Sequence, residues 1–103
     1  MYVVHNRIEV APEQAASFEE TFSASMRATL AGVPGLRRSL LMRPAKPGDP
    51  YVSTMEFDSA EDFRAWMKSD SFKAAHANAD APGMQAPSAI ELFDVLEDFS
   101  ATP

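Results

Sequence analysis

Residues 59–80, SAEDFRAWMKSDSFKAAHANAD, hold the only Trp of the chain and one of its two His. Ser59 followed three residues later by Asp62 is a capping box: a hydroxyl oxygen for an orphan N–H, and a carboxylate near the positive end of a helix. A first helix is predicted from there, with Phe63, Trp66 and Met67 on its apolar side. Ser69-Asp70-Ser71 interrupts the run, because these side chains compete for backbone hydrogen bonds within a helix and favour its ends. A second helix follows, in which Phe72, Ala75, His76 and Ala79 fall on one face. That face is mostly methyl groups around one imidazole, so it leaves space above itself for something flat. Each residue also has a plainer reading: Phe63 and Trp66 as core, His76 as a satisfied core histidine.

Upstream, residues 2–10 alternate with the period of a strand. Tyr2, Val4, Asn6, Ile8 and Val10 share one face, and Val3, His5, Arg7 and Glu9 share the other. Asn6 thus interrupts an apolar face. A buried carboxamide left unpaired costs about 1–3 kcal/mol, so Asn6 either bonds neighbouring backbone or water, or aims a donor into a pocket. Pro12 suits the first turn of a helix and Glu13 its positive end. Phe18, Phe22, Met26 and Leu30 then recur at four-residue intervals, the stripe that packs a helix onto a sheet. Gly32, Pro34 and Gly35 end that helix.

Residues 36–43 and 51–58 read as two further strands, joined by RPAKPGDP at 43–50. A loop that short cannot make a parallel crossover, so the pair is antiparallel. Residues 81–89, APGMQAPSA, have no period and read as a connection or a flap over the pocket. Residues 90–99 read as a last strand, with Ile90, Leu92 and Leu96 on one face and Phe93, Val95 and Phe99 on the other. Apolar residues on both faces imply burial on both sides. The resulting order, βαββαβ with a broken second helix, is the ferredoxin-like α+β arrangement with an antiparallel sheet. At 103 residues the chain makes one domain, 1–103, with one modest core. Helices can cover only one face of its sheet, so the second apolar face calls for another copy.

Net charge is −6, with nine Lys and Arg scattered along the chain, which argues against nucleic acid. The absence of Cys excludes a disulfide framework, a thiolate haem ligand and a Cys-based zinc site. No apolar run is long enough to span a bilayer and no signal pattern opens the chain, so the expectation is a cytoplasmic protein without a membrane partner. No phosphate loop, nucleophile elbow or HExxH is present.

The segment F-x-x-W-x-K-S-x-x-F-K-A-A-H, carried by Phe63, Trp66, Lys68, Ser69, Phe72, Lys73, Ala74, Ala75 and His76, closely resembles the IsdG-type haem-degrading monooxygenases of the antibiotic-biosynthesis-monooxygenase superfamily. Asn6-Arg7-Ile8 is similar to the family's first-strand Asn followed by an apolar residue. The resemblance implies a homodimer whose two sheets form one α+β barrel, helices outside, with a haem pocket in each subunit. It implies His76 as the proximal ligand to haem iron, its other nitrogen held by a carbonyl or carboxylate. Trp66 would press on the porphyrin and ruffle it. Asn6 would stand on the distal side and donate toward O2 there, where a fixed dipole in a dry pocket is most effective. Phe22 and Phe63 are candidate walls, and Arg7, Arg27, Lys68 or Lys73 candidate partners for the propionates. The chain carries no flavin or nicotinamide motif, so electrons would come from a separate reductase or a small reductant. Two other readings stand beside this one: a cofactor-free monooxygenase of an aromatic polyketide or quinol, and a haem carrier or sensor without turnover.

Overall fold

The N-terminal alternation forms strand β1, Tyr2–Ile8, which occupies an interior place in the sheet. The structure is a computed structural model that describes residues 1–77 and 89–102, with only the helical backbone at 76 and 77. β2 (Leu36–Met42), β3 (Tyr51–Phe57) and β4 (Ala89–Asp94) complete the sheet in the order β2-β3-β1-β4. All three pairings are antiparallel, that of β2 with β3 as the short 43–50 loop requires. The helices are α1 (Ala15–Thr29), α2 (Ala60–Met67) and α3 (Asp70–Ala77). This is the expected α+β ferredoxin-like architecture.

The strand registers align side chains in rows across the helix-covered face. Asp94, Tyr2, Phe57 and Leu36 make one row; Leu92, Val4, Met55 and Ser39 the next; Ile90, Asn6, Ser53 and Leu41 a third; Ile8 and Tyr51 a fourth. The core splits in two across these rows. Val4, Phe57, Phe63 and Trp66 form one buried cluster, and Ile8, Phe18 and Tyr51 form the other. The third row, with Asn6 and Ser53, lies between them.

Pro12–Gln14 forms a 3-10 turn ahead of α1, since Pro supplies the fixed φ of a first turn and needs no N–H partner there. Of the predicted stripe, Phe18 is fully buried, while Phe22 and Leu30 pack at the margins of the two clusters. At Gly35 (φ +77°) a Cβ would collide with the Asp62 side chain. Only glycine lets the chain turn there beneath the start of α2.

Ser59 caps α2, its hydroxyl accepting from the Asp62 N–H at 3.2 Å. Ser69 joins the two helices: its hydroxyl donates to the Trp66 carbonyl at 2.5 Å and accepts from the Phe72 N–H at 3.2 Å. Its one oxygen therefore closes α2 and opens α3, which is why the chain breaks at Ser69-Asp70-Ser71.

Three expectations need correction. The first strand ends at Ile8 rather than running to Val10, where only an isolated bridge forms, because Ile8 pairs with Tyr51, the first residue of β3, and the partner strand has run out. Met67 was expected on the apolar side of α2 but is 39% exposed, because it stands one step round the helix from Trp66 and the helix ends before a further turn could cover it. The last strand stops at Asp94 rather than continuing to 99. Asp94 pairs with Tyr2, the first residue of β1, and Val95 N–H bonds the Met1 carbonyl at 3.0 Å, so the strand that β4 pairs with has run out. Leu96 is accordingly 98% exposed. The expected 81–89 connection and Ala79 lie outside the described residues, apart from Ala89, which opens β4. No helix among the described residues is long and apolar enough to cross a membrane.

Candidate functional site

Strand alternation places Asn6 on the helix-covered face between Val4 and Ile8, both buried. Its carboxamide oxygen is buried and has no hydrogen-bond partner among the described residues. Directly across on β3 stands Ser53, also buried, and across on β4 stands Ile90. Ile90 is 58% exposed and Leu92 48%, so the helix-covered face is open along β4. The site is thus a polar break in an apolar face: an unpaired carboxamide and a serine, flanked by two aromatic clusters and open at the sheet edge. Groups so placed can orient a flat apolar molecule and offer it one hydrogen bond.

Trp66 stands in the first cluster, its ring edge-on to Phe72 at 5.0 Å between centroids and tilted toward Phe57 and Phe63 at 6.0 and 6.3 Å. Phe63 is buried with it and also meets Tyr2 at 5.8 Å. Phe22 packs against the second cluster, 5.4 Å from Phe18. Ala75 of α3 packs on the Trp66 cluster, and His76 is the next residue, in the last turn of that helix; the His76 side chain lies outside the described residues.

Arg7 is not brought to this site. Strand alternation turns it to the opposite face, where it pairs with Glu91 at 3.1 Å. The same alternation was legible in the sequence and outweighs the adjacency of Arg7 to Asn6. Arg27, Lys68 and Lys73 are all exposed.

Sequence reasoning passed over two groups. Ser71 accepts from the Trp66 indole N–H at 3.0 Å and donates to the Thr29 carbonyl. Nothing in residue spacing marks it, since it reads as part of a helix break. Ser53 was findable, for it shares the period of Tyr51, Met55 and Phe57.

A third group, Glu19, Arg43 and Tyr51, ties α1 to the β2–β3 hairpin beside the second cluster. Arg43 holds both carboxylate oxygens of Glu19, at 2.8 and 2.6 Å, and the Tyr51 hydroxyl donates to one of them. Arg43 first, then Tyr51, hold the Glu19 carboxyl down to about 2 from an ordinary 4.5. Burial, with the Glu19 carboxylate adding to it, pushes the Tyr51 phenol up. The folded state therefore favours ionised Glu19. Its contribution is complete above the unfolded value of 4.5 and is lost as pH falls through the folded value of about 2. Thermal midpoints followed from pH 7 to pH 2 should fall less steeply in Glu19→Gln than in wild type below pH 4.5. Parallel curves would mean that the fork contributes nothing in solution.

The sheet order, the helices on one face and the polar break beneath them define a ferredoxin-like α+β protein whose helix-covered face is open along β4. The family profile of the antibiotic biosynthesis monooxygenases matches residues 1–78, and the chain belongs to that family. Among its curated relatives is a staphylobilin-producing heme oxygenase of Staphylococcus saprophyticus, 36% identical over 77 residues, covering 74% of this chain and 73% of the relative. Among solved structures, the heme-degrader MhuD of Mycobacterium tuberculosis, with two hemes bound in its active site, superposes with a TM-score of 0.79 at 28% identity, covering 97% of this chain and 100% of that one. SnoaB, a cofactor-independent oxygenase of Streptomyces nogalater, superposes with a TM-score of 0.74 at 25% identity, covering 94% of each chain.

Proposed function

We propose that this chain is a haem-degrading monooxygenase that binds haem between α3 and the sheet through His76 and opens the ring with O2 and electrons from a separate donor, releasing iron. The observation that carries the reading is the buried carboxamide oxygen of Asn6, without a hydrogen-bond partner among the described residues, in the row between two apolar clusters. An unpaired oxygen of this kind is kept at a cost, and a ligand that engages the carboxamide explains the cost. The likenesses to a heme oxygenase and to a heme-bound MhuD support haem as that ligand.

The residues fit the group. The flanking clusters and the open β4 edge offer a slot with apolar walls, and Asn6 is its polar floor. Haem supplies the iron at which O2 is reduced and the ring that is cut. His76, on the last turn of α3, would hold the iron as a neutral imidazole. Asn6 would offer its amide N–H to oxygen, a dipole held by the strand before charge develops. Trp66, braced by Phe57, Phe63 and Phe72, would supply the rigid surface against which the ring is bent. Phe22 and Phe63 would wall the slot, and Arg7 drops out as a propionate partner because it faces the other way.

On that other face Val3, Leu40 and Phe93 share the sheet with the Arg7–Glu91 and Arg38–Glu56 pairs. A second copy closing over this face would bury them, together with the exposed Leu96 and Phe99, and make the homodimeric barrel.

Haemin titration of wild type and His76→Ala tests the reading. Wild type should show a sharp Soret band saturating at one haem per chain, and His76→Ala should bind at least about tenfold more weakly. Bleaching of that band with reductant and oxygen, hydrogen peroxide being scavenged, marks turnover; a stable band marks a carrier. Weak, unsaturable binding that ignores His76 would overturn the reading and favour a cofactor-free oxygenase of the SnoaB kind.

A further inference from the structure

The side chain that fixes Trp66 is not one of the aromatic rings around it. Phe57, Phe63 and Phe72 bound the position of the indole but are non-directional. The directional contact is the indole N–H to Ser71 Oγ at 3.0 Å, with the Ser71 hydroxyl in turn donating to the Thr29 carbonyl. Thr29 is the last residue of α1, so its carbonyl is one of the acceptors a helix end leaves without an intrahelical partner. The Thr29 hydroxyl is engaged with the Ser25 carbonyl at 2.8 Å. An indole N–H can only donate and a carbonyl can only accept, so the group between them must do both. A serine hydroxyl is the smallest that can.

We propose that Ser71 is a positioning residue: it sets the angle at which Trp66 meets the haem plane by anchoring the indole to the end of α1. This rests on the haem reading given above. Ser71 and His76 sit on the same helix, roughly 140° apart around its axis at 3.6 residues per turn. One rigid element thus carries the anchor of the bending surface on one side and the iron-holding residue on another. Their relative geometry is set by a single helix rather than by loops. A depression of about 270 Å³ lined by Val33, Pro34, Ala65, Trp66 and Ser71 adjoins the indole. Without the hydroxyl, pressure from a bound ring would be met by yielding rather than by resistance.

The chain has one Trp, so one indole N–H resonance reports on it alone. In ligand-free protein, Ser71→Ala should move that resonance upfield and exchange its proton roughly five- to tenfold faster, the factor for one net hydrogen bond. Ser71→Thr, which keeps a hydroxyl, should restore both. With haemin, Ser71→Ala should keep its His76-dependent Soret band and an affinity within about threefold of wild type, while turnover falls about tenfold and the ratio of ring-opened isomers changes. An indole resonance unmoved in Ser71→Ala would overturn the proposal. So would a moved resonance with rate and isomer ratio unchanged. Wild type that binds no haem would instead overturn the function proposed above, and with it any role of Ser71 toward haem, while the ligand-free resonance still showed whether Ser71 holds the ring.

Discussion

Asn6→Leu should melt at a higher temperature than wild type and yet lose turnover by about 10²–10³-fold. Leucine branches at the same carbon as asparagine and has nearly its shape, so the change removes polarity with little change of volume. The Asn6 carboxamide oxygen is buried without a partner among the described residues, on a face where Val4 and Ile8 are core. Leaving such a group unsatisfied costs about 1–3 kcal/mol in the ligand-free protein, and leucine abolishes that cost. A gain of about 1 kcal/mol corresponds to a rise of roughly 4–8 °C in a domain of this size. Activity should move the other way, because the dipole that destabilises the empty fold is the one offered to developing charge. Soret affinity should be nearly unchanged, since Asn6 is not the iron ligand in this reading. Scanning calorimetry of ligand-free protein and single-turnover bleaching decide it. A lower melting temperature in Asn6→Leu would show that the carboxamide is satisfied in solution, and the observation beneath the proposed function would be gone.

How much of this could be read from the chain varies with the physics behind each feature. β1 was legible because a period of two leaves no doubt about faces: Val4, Asn6 and Ile8 inward, Arg7 outward. The α2 start was legible because Ser59 and Asp62 satisfy an end the helix cannot satisfy itself. The end of β4 was not. Residues 95–99 are as apolar as those before them, but a strand needs a partner, and β1 stops supplying one at Tyr2. That limit is set by register, which pattern does not encode. The gap between the two clusters was half legible. Asn6 stood out in an apolar row, but its companion Ser53 lies across on β3, more than forty residues along the chain, and only the register brings them together. Ser71 was invisible for a different reason: its partners are Trp66 and the far end of α1, and sequence spacing cannot show a hydrogen bond to a distant carbonyl.

Trp66→Ala should cost about 3–5 kcal/mol, the usual penalty for emptying a large aromatic site in a core. Trp66 is only 8% exposed and touches Phe57, Phe63 and Phe72, so few neighbours are free to fill the space. Domains of this size are commonly stable by about 5–15 kcal/mol in all, so the variant approaches global unfolding at physiological temperature. Activity lost in Trp66→Ala would therefore say nothing about bending a porphyrin. Trp66→Phe keeps much of the volume and gives up the indole N–H, at about 1–2 kcal/mol, which urea midpoints at constant m-value should resolve from the alanine variant. Haem at a hundred times its dissociation constant returns about 2.7 kcal/mol to any variant that still binds it through His76. Haem-loaded Trp66→Phe should accordingly be folded, show a normal Soret band and turn over with an altered product ratio. Should it give wild-type products at wild-type rate, Trp66 is core and nothing more, and the ring must be bent by other walls of the slot.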